Sequence, residues 1–263
     1  MEAVDTVVSA FRVGMMNVEV HPDRESLGTA AARATAKVLR ELAEDQDTVA
    51  AIFATGASQL ATLDALTKME GLPWERVHGF HLDEYVGLPI DHVASFRAYL
   101  RKHLTQKVRM KAFYEIDGTA PDPEDECRLY AGRLRAEAPR LCLLGIGENG
   151  HLAFNDPAIA RFNDPLDVKV VELDPECKQQ QVAEGWFKST DEVPQHAISL
   201  TIPALMRVPK LIVSVPGSRK AAVMRRTVEE AISSKCPATI LRSHPDVTVY
   251  LDKDSAAELN LRA

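Results

Sequence analysis

The sequence predicts an α/β protein with one doubly wound domain, residues 1–263, in which helices cover both faces of a mostly parallel sheet. Three observations lead to this fold class. Short segments rich in apolar and β-branched residues recur along the chain, amphipathic helical segments lie between them, and the two kinds alternate without an internal repeat or a long polar linker. Such alternation is typical of parallel strands joined by right-handed helical crossovers.

The positions of the predicted strands and helices identify the candidate functional segments. Strands are expected at residues 48–54, 77–84, 140–147, 168–173, 210–216 and 247–252. Helices, with apolar residues three or four positions apart, are expected at 25–45, 58–70, 123–138 and 217–233. Ligands of such open sheets bind beyond the C-terminal ends of the strands, so the loops that follow the strands matter most.

Composition and charge narrow the class of protein and of partner. Hydrophobic residues make up 46% of the chain and charged residues 26%, the balance of an ordinary soluble globular protein. A formal net charge of −7 argues against nucleic acid as a partner, because binding to phosphate backbones needs a concentrated basic face. An anionic small molecule would have to be held by a few placed groups.

The N-terminus and the cysteines predict a cytoplasmic protein without a metal site. Glu2 and Asp5 stand where a signal peptide would carry Lys or Arg, and no apolar run approaches the roughly 20 residues of a membrane span. The four cysteines lack the spacing of a zinc site or of a disulfide framework. We therefore expect no membrane partner, no metal and reduced thiols.

The turn ATGASQ, residues 54–59, is a candidate phosphate cradle because it follows a predicted strand and opens a predicted helix. Gly56 and Ala57 are small enough to let an anion approach the backbone, and Ser58 can cap the helix and offer a hydroxyl. The helix N-terminus adds unpaired N–H groups and the positive end of the helix dipole. The alternative is an ordinary strand-to-helix turn with a serine cap.

The segment VPGSRKAAVMRR, residues 215–226, is a second strand end that leads into a helix. Lys220 is expected in the first turn of that helix, where a cation is unfavourable unless an anion is bound nearby. Lys220 is therefore a candidate phosphate ligand. The alternative is a solvated lysine on a basic helix face.

The strand end FHLDEYVGLP, residues 80–89, places two carboxylates at the edge of the sheet. Adjacent side chains of a strand point to opposite faces, so we expect only one of Asp83 and Glu84 to face the crevice. A carboxylate in a partly dry crevice has a raised pKa and becomes a usable general base near neutral pH. The alternative is a helix cap or a solvated loop acid.

The loop GIGENGHLAFNDP, residues 145–157, fits two interpretations. Gly145, Gly147 and Gly150 satisfy the dinucleotide-binding pattern G-x-G-x-x-G, and Glu172 could imitate the acidic ribose ligand. That pattern needs a helix after the third glycine, but two Asn-Asp-Pro triplets follow, and such sequence ends or prevents helices. A site loop is the favoured interpretation.

As a site loop, the stretch brings Asn149, His151, Asn155 and Asp156 together beyond a strand. The ordinary pKa of histidine, about 6.5, suits proton transfer, and a neighbouring Asn or Asp can fix its tautomer. His151 is therefore a candidate acid/base group. The alternative is a histidine held only by structural hydrogen bonds.

Taken together, these motifs resemble one family, the glucosamine-6-phosphate deaminases (isomerases), which share a superfamily with 6-phosphogluconolactonases. ATGASQ, FHLDEYVGLP followed by SFRAYL, GIGENGHLAFNDP and GSRKA occur in the order found in that family, and the similarity spans roughly residues 25–260. The resemblance implies a Rossmann-like, deaminase-type doubly wound domain. It also implies conversion of glucosamine 6-phosphate to fructose 6-phosphate and ammonia, without a metal or redox cofactor, in a possible homo-oligomer.

The resemblance further implies roles for individual residues. Asp83 would be the base that removes the C2 proton of the opened sugar, and His151 the acid/base group that opens the pyranose ring. Asn149 and Asp156 would occupy the positions of the carboxylates that assist this histidine. The residues expected to bind the substrate or its phosphate are Thr55, Gly56, Ala57, Ser58, Lys220, Glu84 and Gly150.

Two departures from the family pattern lie beside the histidine. Asn149 stands where some members carry Asp, and it cannot stabilise an imidazolium by charge. Asp156 replaces the Glu of the usual Asn-Glu-Pro, which shortens the side chain by one methylene. The shorter acid could slow ring opening or indicate a different sugar.

Two further departures concern the phosphate and regulation. Trp186 lies near the position of a phosphate-binding arginine in better-known members, so Lys178 or Arg161 is expected to substitute for it. The Ser/Arg/Lys-rich segment that forms an allosteric site in some members is replaced here by AIARFNDPLD, residues 158–167. We therefore expect no activation of that kind.

Three other functions stay open at the level of sequence. A 6-phosphogluconolactonase would share the fold but is not expected to keep DEYVGLP or the AFN after the Gly-His pair. A catalytically silent sugar-phosphate-binding protein or sensor is compatible with the changes at Asn149 and Asp156. A nicotinamide-dependent dehydrogenase would need the dinucleotide interpretation of residues 145–157.

Overall fold

The computed structural model describes residues 7–260. Glu2 and Asp5, on which the expectation of a cytoplasmic protein partly rested, lie outside the described residues. Within residues 7–260, no helix is both long enough and apolar enough to cross a membrane.

The strands form two sheets. Among the described residues, a large sheet has the order β1-β2-β11-β10-β7-β3-β4-β6, and a small sheet has the order β5-β9-β8. Every neighbouring pair in the large sheet is parallel except β1 with β2, whereas both pairs in the small sheet are antiparallel. The strands are β1 Ser9–Val13, β2 Met16–His21, β3 Val49–Phe53, β4 Val77–His81, β5 Asp83–Tyr85, β6 Ala112–Tyr114, β7 Leu141–Leu144, β8 Val168–Glu172, β9 His196–Leu200, β10 Lys210–Val215 and β11 Val247–Asp252.

Helices cover both faces of the large sheet, as the alternation of elements predicted. On one face Ala51 and Phe53 of β3 pack with apolar residues of α1 and α2, and on the other Ile52 packs in a second cluster with residues of α4 and α7. The fold-class prediction is therefore confirmed. The helices are α1 Arg24–Asp45, α2 Leu60–Thr67, α3 Phe96–Leu100, α4 Pro123–Glu137, α5 Pro175–Ala183, α6 Ile202–Met206 and α7 Ala221–Glu229.

Capping side chains fix where the longer helices begin. The Asp23 carboxylate accepts a hydrogen bond from the Ser26 amide at the start of α1, at 2.8 Å. Asp122 does the same for the Glu124 amide at 2.9 Å, and Pro123 occupies the first position of α4, where no amide hydrogen is needed. These caps satisfy amides that have no partner inside the helix.

The small sheet is the main difference from the predicted fold. Residues 168–172 form a strand as expected, but β8 pairs antiparallel with β9 instead of joining the parallel sheet. The predicted strand 77–84 ends at His81, and after Leu82 the chain enters β5 of the small sheet. The local sequence patterns did not indicate β1, β2, β6, β9, α3, α5 or α6. The break at Leu82 carries Asp83 out of the parallel sheet.

We expect Gly28→Ala to destabilise the protein although alanine normally favours a helix. A Cβ at position 28 of α1 would lie 2.5 Å from the Ala61 Cβ and 2.7 Å from the Ala61 carbonyl carbon of α2. Relieving such overpacking costs about 1–3 kcal/mol of unfolding free energy, measurable by urea denaturation.

Gly132→Ala is the matched control for this prediction. Gly132 lies inside α4, and a Cβ there would meet no atom within 4 Å. Its substitution should raise the free energy of unfolding by about 0.5–1 kcal/mol, because alanine loses less backbone entropy on folding. Equal stability of Gly28→Ala and the unchanged protein would contradict the close contact of α1 with α2.

Candidate active site

A cleft of about 240 Å³ opens beyond the C-terminal ends of β3, β7 and β10. β3 and β7 are neighbours, but β4 and β6 lie on the β3 side while β10 and β11 lie on the β7 side. This arrangement is a topological switch point, the place where open α/β sheets bind ligands. Residues 54–58, 145–148 and 216–220 line the cleft together with Asp83 and His151.

Two similar turns face each other across the cleft. In each, a glycine with positive φ precedes a single 3-10 turn that leads into a helix: Gly56 with φ 90° before Ala57–Gln59, and Gly217 with φ 92° before Ser218–Lys220. Only glycine adopts this backbone readily, so the turns need glycine even where space is free. Thr55, Gly56, Ala57 and Ser58, the predicted phosphate-binding residues of the first turn, all line the cleft.

Polar side chains hold the two glycines in place. The Tyr99 hydroxyl donates to the Gly56 carbonyl at 2.9 Å. The Gly217 amide donates to both carboxylate oxygens of Asp252, at 3.0 and 2.9 Å. The cleft side of each turn is therefore fixed before any ligand binds, and the sequence analysis assigned a role to neither supporting residue.

Lys220 lies inside this cleft and not on a solvated helix face. It is 8% exposed, and its ammonium group has no hydrogen bond or ion pair with another residue of the described chain. Burial lowers the pKa of Lys220, although Glu184 and Glu148 act in the opposite direction. A buried cation without a direct partner is suited to an anionic ligand.

The arginines of the cleft differ from the ones that the sequence analysis expected. Neither Lys178 nor Arg161 lines the cleft, and Arg161 borders a separate depression. Arg24, the first residue of α1, and Arg219, in the turn before α7, line it instead. The sequence could have indicated Arg24 and Arg219 as residues of the cleft, because each stands at the start of a helix that follows a strand.

Asp83 is the carboxylate that faces the cleft. The side chain is 6% exposed and lines the cavity. Burial, and after it the neighbouring Glu84, raise the pKa of Asp83 well above its ordinary value. This is the condition expected of a general base that works near neutral pH.

Glu84 does not face the cleft, which corrects its predicted substrate-binding role. Its carboxylate accepts hydrogen bonds from the Phe96 amide at 3.1 Å and the Arg97 amide at 2.9 Å, and from the Ser95 hydroxyl at 3.0 Å. Glu84 therefore caps the N-terminus of α3. The alternation of side chains in β5 sends the two neighbouring acids in opposite directions, as predicted.

The ring of His151 packs directly on the backbone of Gly147. A Cβ at position 147 would lie 2.2 Å from the ring carbon Cε1, so any other residue would displace the histidine. A Cβ on Gly145 would lie 2.9 Å from the Ser58 hydroxyl oxygen. These two glycines make room for site side chains, and residues 151–167 form no helix. Both findings contradict the dinucleotide interpretation.

Asp156 and Asn149 form a buried support behind His151. The Nδ1 atom of His151 lies 2.9 Å from Oδ1 of Asp156, so the shorter acid does reach the ring. Asn149 donates to the same Oδ1 at 2.9 Å and accepts from the His151 amide at 3.0 Å. Burial alone would raise the pKa of Asp156, but the contacts with His151 and Asn149 outweigh it, and the pKa lies below its ordinary value.

Gly150 and Asn155 hold the loop and do not line the cleft. Gly150 has φ 92°, and a Cβ there would lie 2.7 Å from the Cys236 sulfur. Asn155 donates to the carbonyls of Leu152, at 2.8 Å, and of Leu200, at 2.7 Å. The predicted contact of Gly150 with a ligand is thus replaced by a structural role.

The helix α5 and the residues after it form one wall of the cleft, which the sequence analysis missed. The side-chain Oε1 of Gln180 accepts a hydrogen bond from the Glu148 backbone amide at 3.0 Å, and the side-chain Nε2 of Gln180 donates to Glu184 at 2.7 Å. Trp186 does not line the cleft, but its indole donates to the other oxygen of Glu184 at 3.2 Å. Two acids, Glu148 and Glu184, therefore lie in the same cleft as the cations.

A family model described as glucosamine-6-phosphate isomerases/6-phosphogluconolactonase matches residues 22–250. The chain belongs to this family. A glucosamine-6-phosphate deaminase of Bacillus thuringiensis (strain Al Hakam) is 35% identical over 240 residues, which are 91% of this chain and 88% of the relative. The deaminase of Bacillus anthracis (strain A0248) matches with the same values. The family resemblance that the motifs indicated is confirmed.

Solved structures place the fold in the same family. The structure of a monomeric glucosamine-6-phosphate deaminase has a TM-score of 0.84 and 30% identity, and the match covers 92% of this chain and 99% of that one. A 6-phosphogluconolactonase from Thermotoga maritima has a TM-score of 0.74 and 19% identity, over 90% and 100% of the two chains. The second likeness shows the shared fold alone.

We expect Lys220→Met to stabilise the ligand-free protein and to abolish its stabilisation by inorganic phosphate. The substitution keeps the length of the side chain but removes a buried charge, which should raise the free energy of unfolding by about 1 kcal/mol. Thermal unfolding with and without phosphate measures both effects. Lys37→Met, on an α1 side chain that is 76% exposed, is the control and should change neither. Undiminished stabilisation of Lys220→Met by phosphate would place the anion elsewhere.

Proposed function

We propose that this protein is a glucosamine-6-phosphate deaminase, which converts glucosamine 6-phosphate and water to fructose 6-phosphate and ammonia. One observation carries the proposal: a single cleft is lined by two glycine turns suited to an anion, by a buried carboxylate with a raised pKa, and by His151, which Asp156 supports from behind. Proximity of these groups is what an aldose-ketose shift on a phosphorylated sugar needs. Because a carbon–nitrogen bond is broken with net uptake of water, the enzyme is proposed to be a hydrolase of that bond.

The phosphate is proposed to bind between the turns at residues 55–58 and 217–220. The backbone amides that open α2 and α7 point towards an anion there, and the Ser58 hydroxyl can donate to it. Lys220 supplies a charge that is not used inside the protein, and Arg24 and Arg219 line the same cleft. Fixing the remote end of the sugar holds C1 and C2 in a reactive position.

His151 is proposed to open the pyranose ring. The lowered pKa of Asp156 keeps this residue ionised beside Nδ1, which favours a proton on Nδ1 and leaves Nε2 for exchange with the sugar. Nε2 can take the proton of the anomeric hydroxyl and deliver it to the ring oxygen as the bond between C1 and that oxygen breaks. Asn149 keeps Asp156 oriented by donating to the oxygen that faces the imidazole.

Asp83 is proposed to move the proton between C2 and C1 of the open-chain sugar. Burial raises the proton affinity of this carboxylate, so it can remove the acidic C2 proton and hold it without loss to water. The ammonium group of the substrate passes a proton to O1, and returning the first proton to C1 then leaves a protonated carbon–nitrogen double bond at C2. Water adds at C2, ammonia leaves, and the ketose remains, so all atoms balance.

The acids of the cleft favour an amino sugar over a lactone. Glu148 and Glu184 line the cavity beside the cationic groups, so its electrostatic character is mixed. Glucosamine 6-phosphate carries an ammonium as well as a phosphate and complements both signs. Glu148 also lies 3.5 Å from the Arg219 guanidinium, but Glu184 has no cationic partner in an ion pair among the described residues, and a 6-phosphogluconolactone would supply none. The catalytically silent alternative differs in predicting binding of the sugar phosphate without ammonia.

We expect Asp83→Asn to lower kcat by at least about 10²-fold while leaving sugar-phosphate binding nearly intact, because it removes a proton acceptor but no cradle residue. Ammonia and fructose 6-phosphate are assayed separately in chelator-containing buffer, and binding is measured by thermal shift. Asp91→Asn, on a nearby exposed acid, is the matched control and should keep full activity. Full activity of Asp83→Asn would remove this residue from the mechanism, and absence of both products despite binding would indicate a silent binding protein.

We also expect kcat to fall on the acid side of its pH profile at pH values above those at which an ordinary aspartate titrates, about pH 4. The raised pKa of Asp83 means that the base becomes protonated, and turnover falls, as the pH drops through that higher value. Saturating substrate is used, since the phosphate itself titrates near pH 6 and affects binding. A kcat that stays constant down to about pH 4 would contradict the assignment of a buried base.

A further inference from the structure

Three side chains with metal-binding atoms meet behind the cleft. One ligand atom each of His151, Asp156 and Cys177 can be chosen so that all lie within 4.8 Å of one another. Cys177 lies in the first turn of α5, directly after its cap Asp174, and is 1% exposed. The deaminase mechanism gives no part to this thiol.

The atoms at this junction lack the hydrogen bonds that buried polar groups normally make. Among residues 7–260, no hydrogen bond reaches the Cys177 sulfur, and the Tyr85 hydroxyl in the same apolar cluster also has no partner. The Nδ1 atom of His151 lies 2.9 Å from Asp156 and has no other polar partner among the described residues. Unpaired donors and acceptors that converge in a buried space can be satisfied by a ligand.

The electrostatic surroundings of the junction favour a cation. Burial raises the pKa of Cys177, and the carboxyl groups of Asp156, Asp83, Asp174 and Glu184 raise it further. The Asp156 carboxylate at the junction therefore disfavours the thiolate as long as no cation is bound. A bound cation would also make the thiolate accessible, since metal coordination deprotonates a thiol.

We propose that His151, Asp156 and Cys177 form an inhibitory binding site for Zn²⁺, reached from the cleft past the imidazole of His151. Zn²⁺ would bind Nδ1, one carboxylate oxygen and the thiolate, and a water would complete a tetrahedral set. The thiol proton is released on binding, the Nδ1 proton moves to Nε2, and no electron is transferred. The site is distinct from a catalytic cofactor, because its occupation takes away the groups that the deaminase uses.

The spacing suits zinc after a small adjustment. Bond lengths of 2.0–2.3 Å in a tetrahedral site place ligand atoms roughly 3.3–3.8 Å apart. The separation of 2.9 Å between Nδ1 and Oδ1 is slightly shorter than this range. The Cys177 sulfur lies within 4.8 Å of the other two ligand atoms, which is at most about 1 Å beyond the range. Rotation of the Cys177 side chain and a shift of the imidazole would close the set. Sulfur and imidazole ligands favour Zn²⁺ over Mg²⁺ or Ca²⁺.

Inhibition follows from the atoms that zinc would occupy. With a metal on Nδ1, the proton of the ring is held on Nε2, and Asp156 no longer assists the imidazolium. His151 then cannot accept a proton from the anomeric hydroxyl. Only this loss of turnover rests on the proposed deaminase function, because metal binding itself does not depend on the reaction.

Cobalt spectroscopy tests the site without reference to activity. The whole protein is titrated with Co²⁺ as a probe for Zn²⁺, and a thiolate-to-cobalt charge-transfer band at one equivalent is expected. Cys177→Ala should lose the band, and Cys127→Ala, which removes a buried thiol from α4 instead, should keep it. Absence of the band in the unchanged protein, or its persistence in folded Cys177→Ala, would overturn the proposal.

A zinc titration of ammonia release tests the consequence. Zn²⁺ should inhibit the unchanged protein reversibly, with full recovery on adding a chelator, and Mg²⁺ should have no effect. The inhibition constant should rise at least about tenfold in Cys177→Ala and stay unchanged in Cys127→Ala, because the thiolate is the strongest of the three ligands. Equal zinc sensitivity of both variants would contradict the site. A cobalt band without any deaminase activity would support the metal site and reject the proposed function.

Discussion

The site depends on holding unlike charges at buried positions of one cleft. Asp83 is 6% exposed and Lys220 is 8% exposed. Burial raises the pKa of Asp83 and lowers the pKa of Lys220, so it favours the neutral form of each side chain. Neither group has a direct ion-pair partner among residues 7–260, so each keeps its interaction free for a ligand. An uncompensated buried charge opposes folding, and the surrounding scaffold has to offset it.

The surrounding structure fixes the backbone near Asp83 and Lys220 and does not pair either side chain with an opposite charge. Glu84 caps α3 directly beside Asp83, and Asp252 holds the Gly217 amide three residues before Lys220. Both carboxylates accept from backbone N–H groups, which offsets part of the cost of burying a charge, although burial still raises the pKa of Glu84. Glu84 therefore fixes the backbone next to the unpaired Asp83, and Asp252 fixes the turn that carries the unpaired Lys220.

The sequence predicted the parallel strands β3, β4, β7, β10 and β11, the helices α1, α2, α4 and α7, and the main site motifs, because these depend on local patterns. ATGASQ and GIGENGHLAFNDP combine strand ends with glycines, and the cleft contains His151 and the turn residues as expected. Glu84 and Gly150 were assigned by motif, but only packing decides that one caps α3 and the other contacts Cys236. The small antiparallel sheet and the wall formed by α5 arise from long-range pairing, which no local pattern encodes.

The two departures beside His151 are best understood as one change. Asn149 uses both ends of its amide, because Oδ1 accepts from the His151 backbone and Nδ2 donates to Asp156. A carboxylate at 149 could accept but not donate, and it would place a second negative charge about 3 Å from Asp156. The amide thus anchors the short acid where it reaches Nδ1. In this structure Asp156 supplies the charge and Asn149 supplies its orientation, so the loss of a carboxylate at 149 does not remove the support of the histidine.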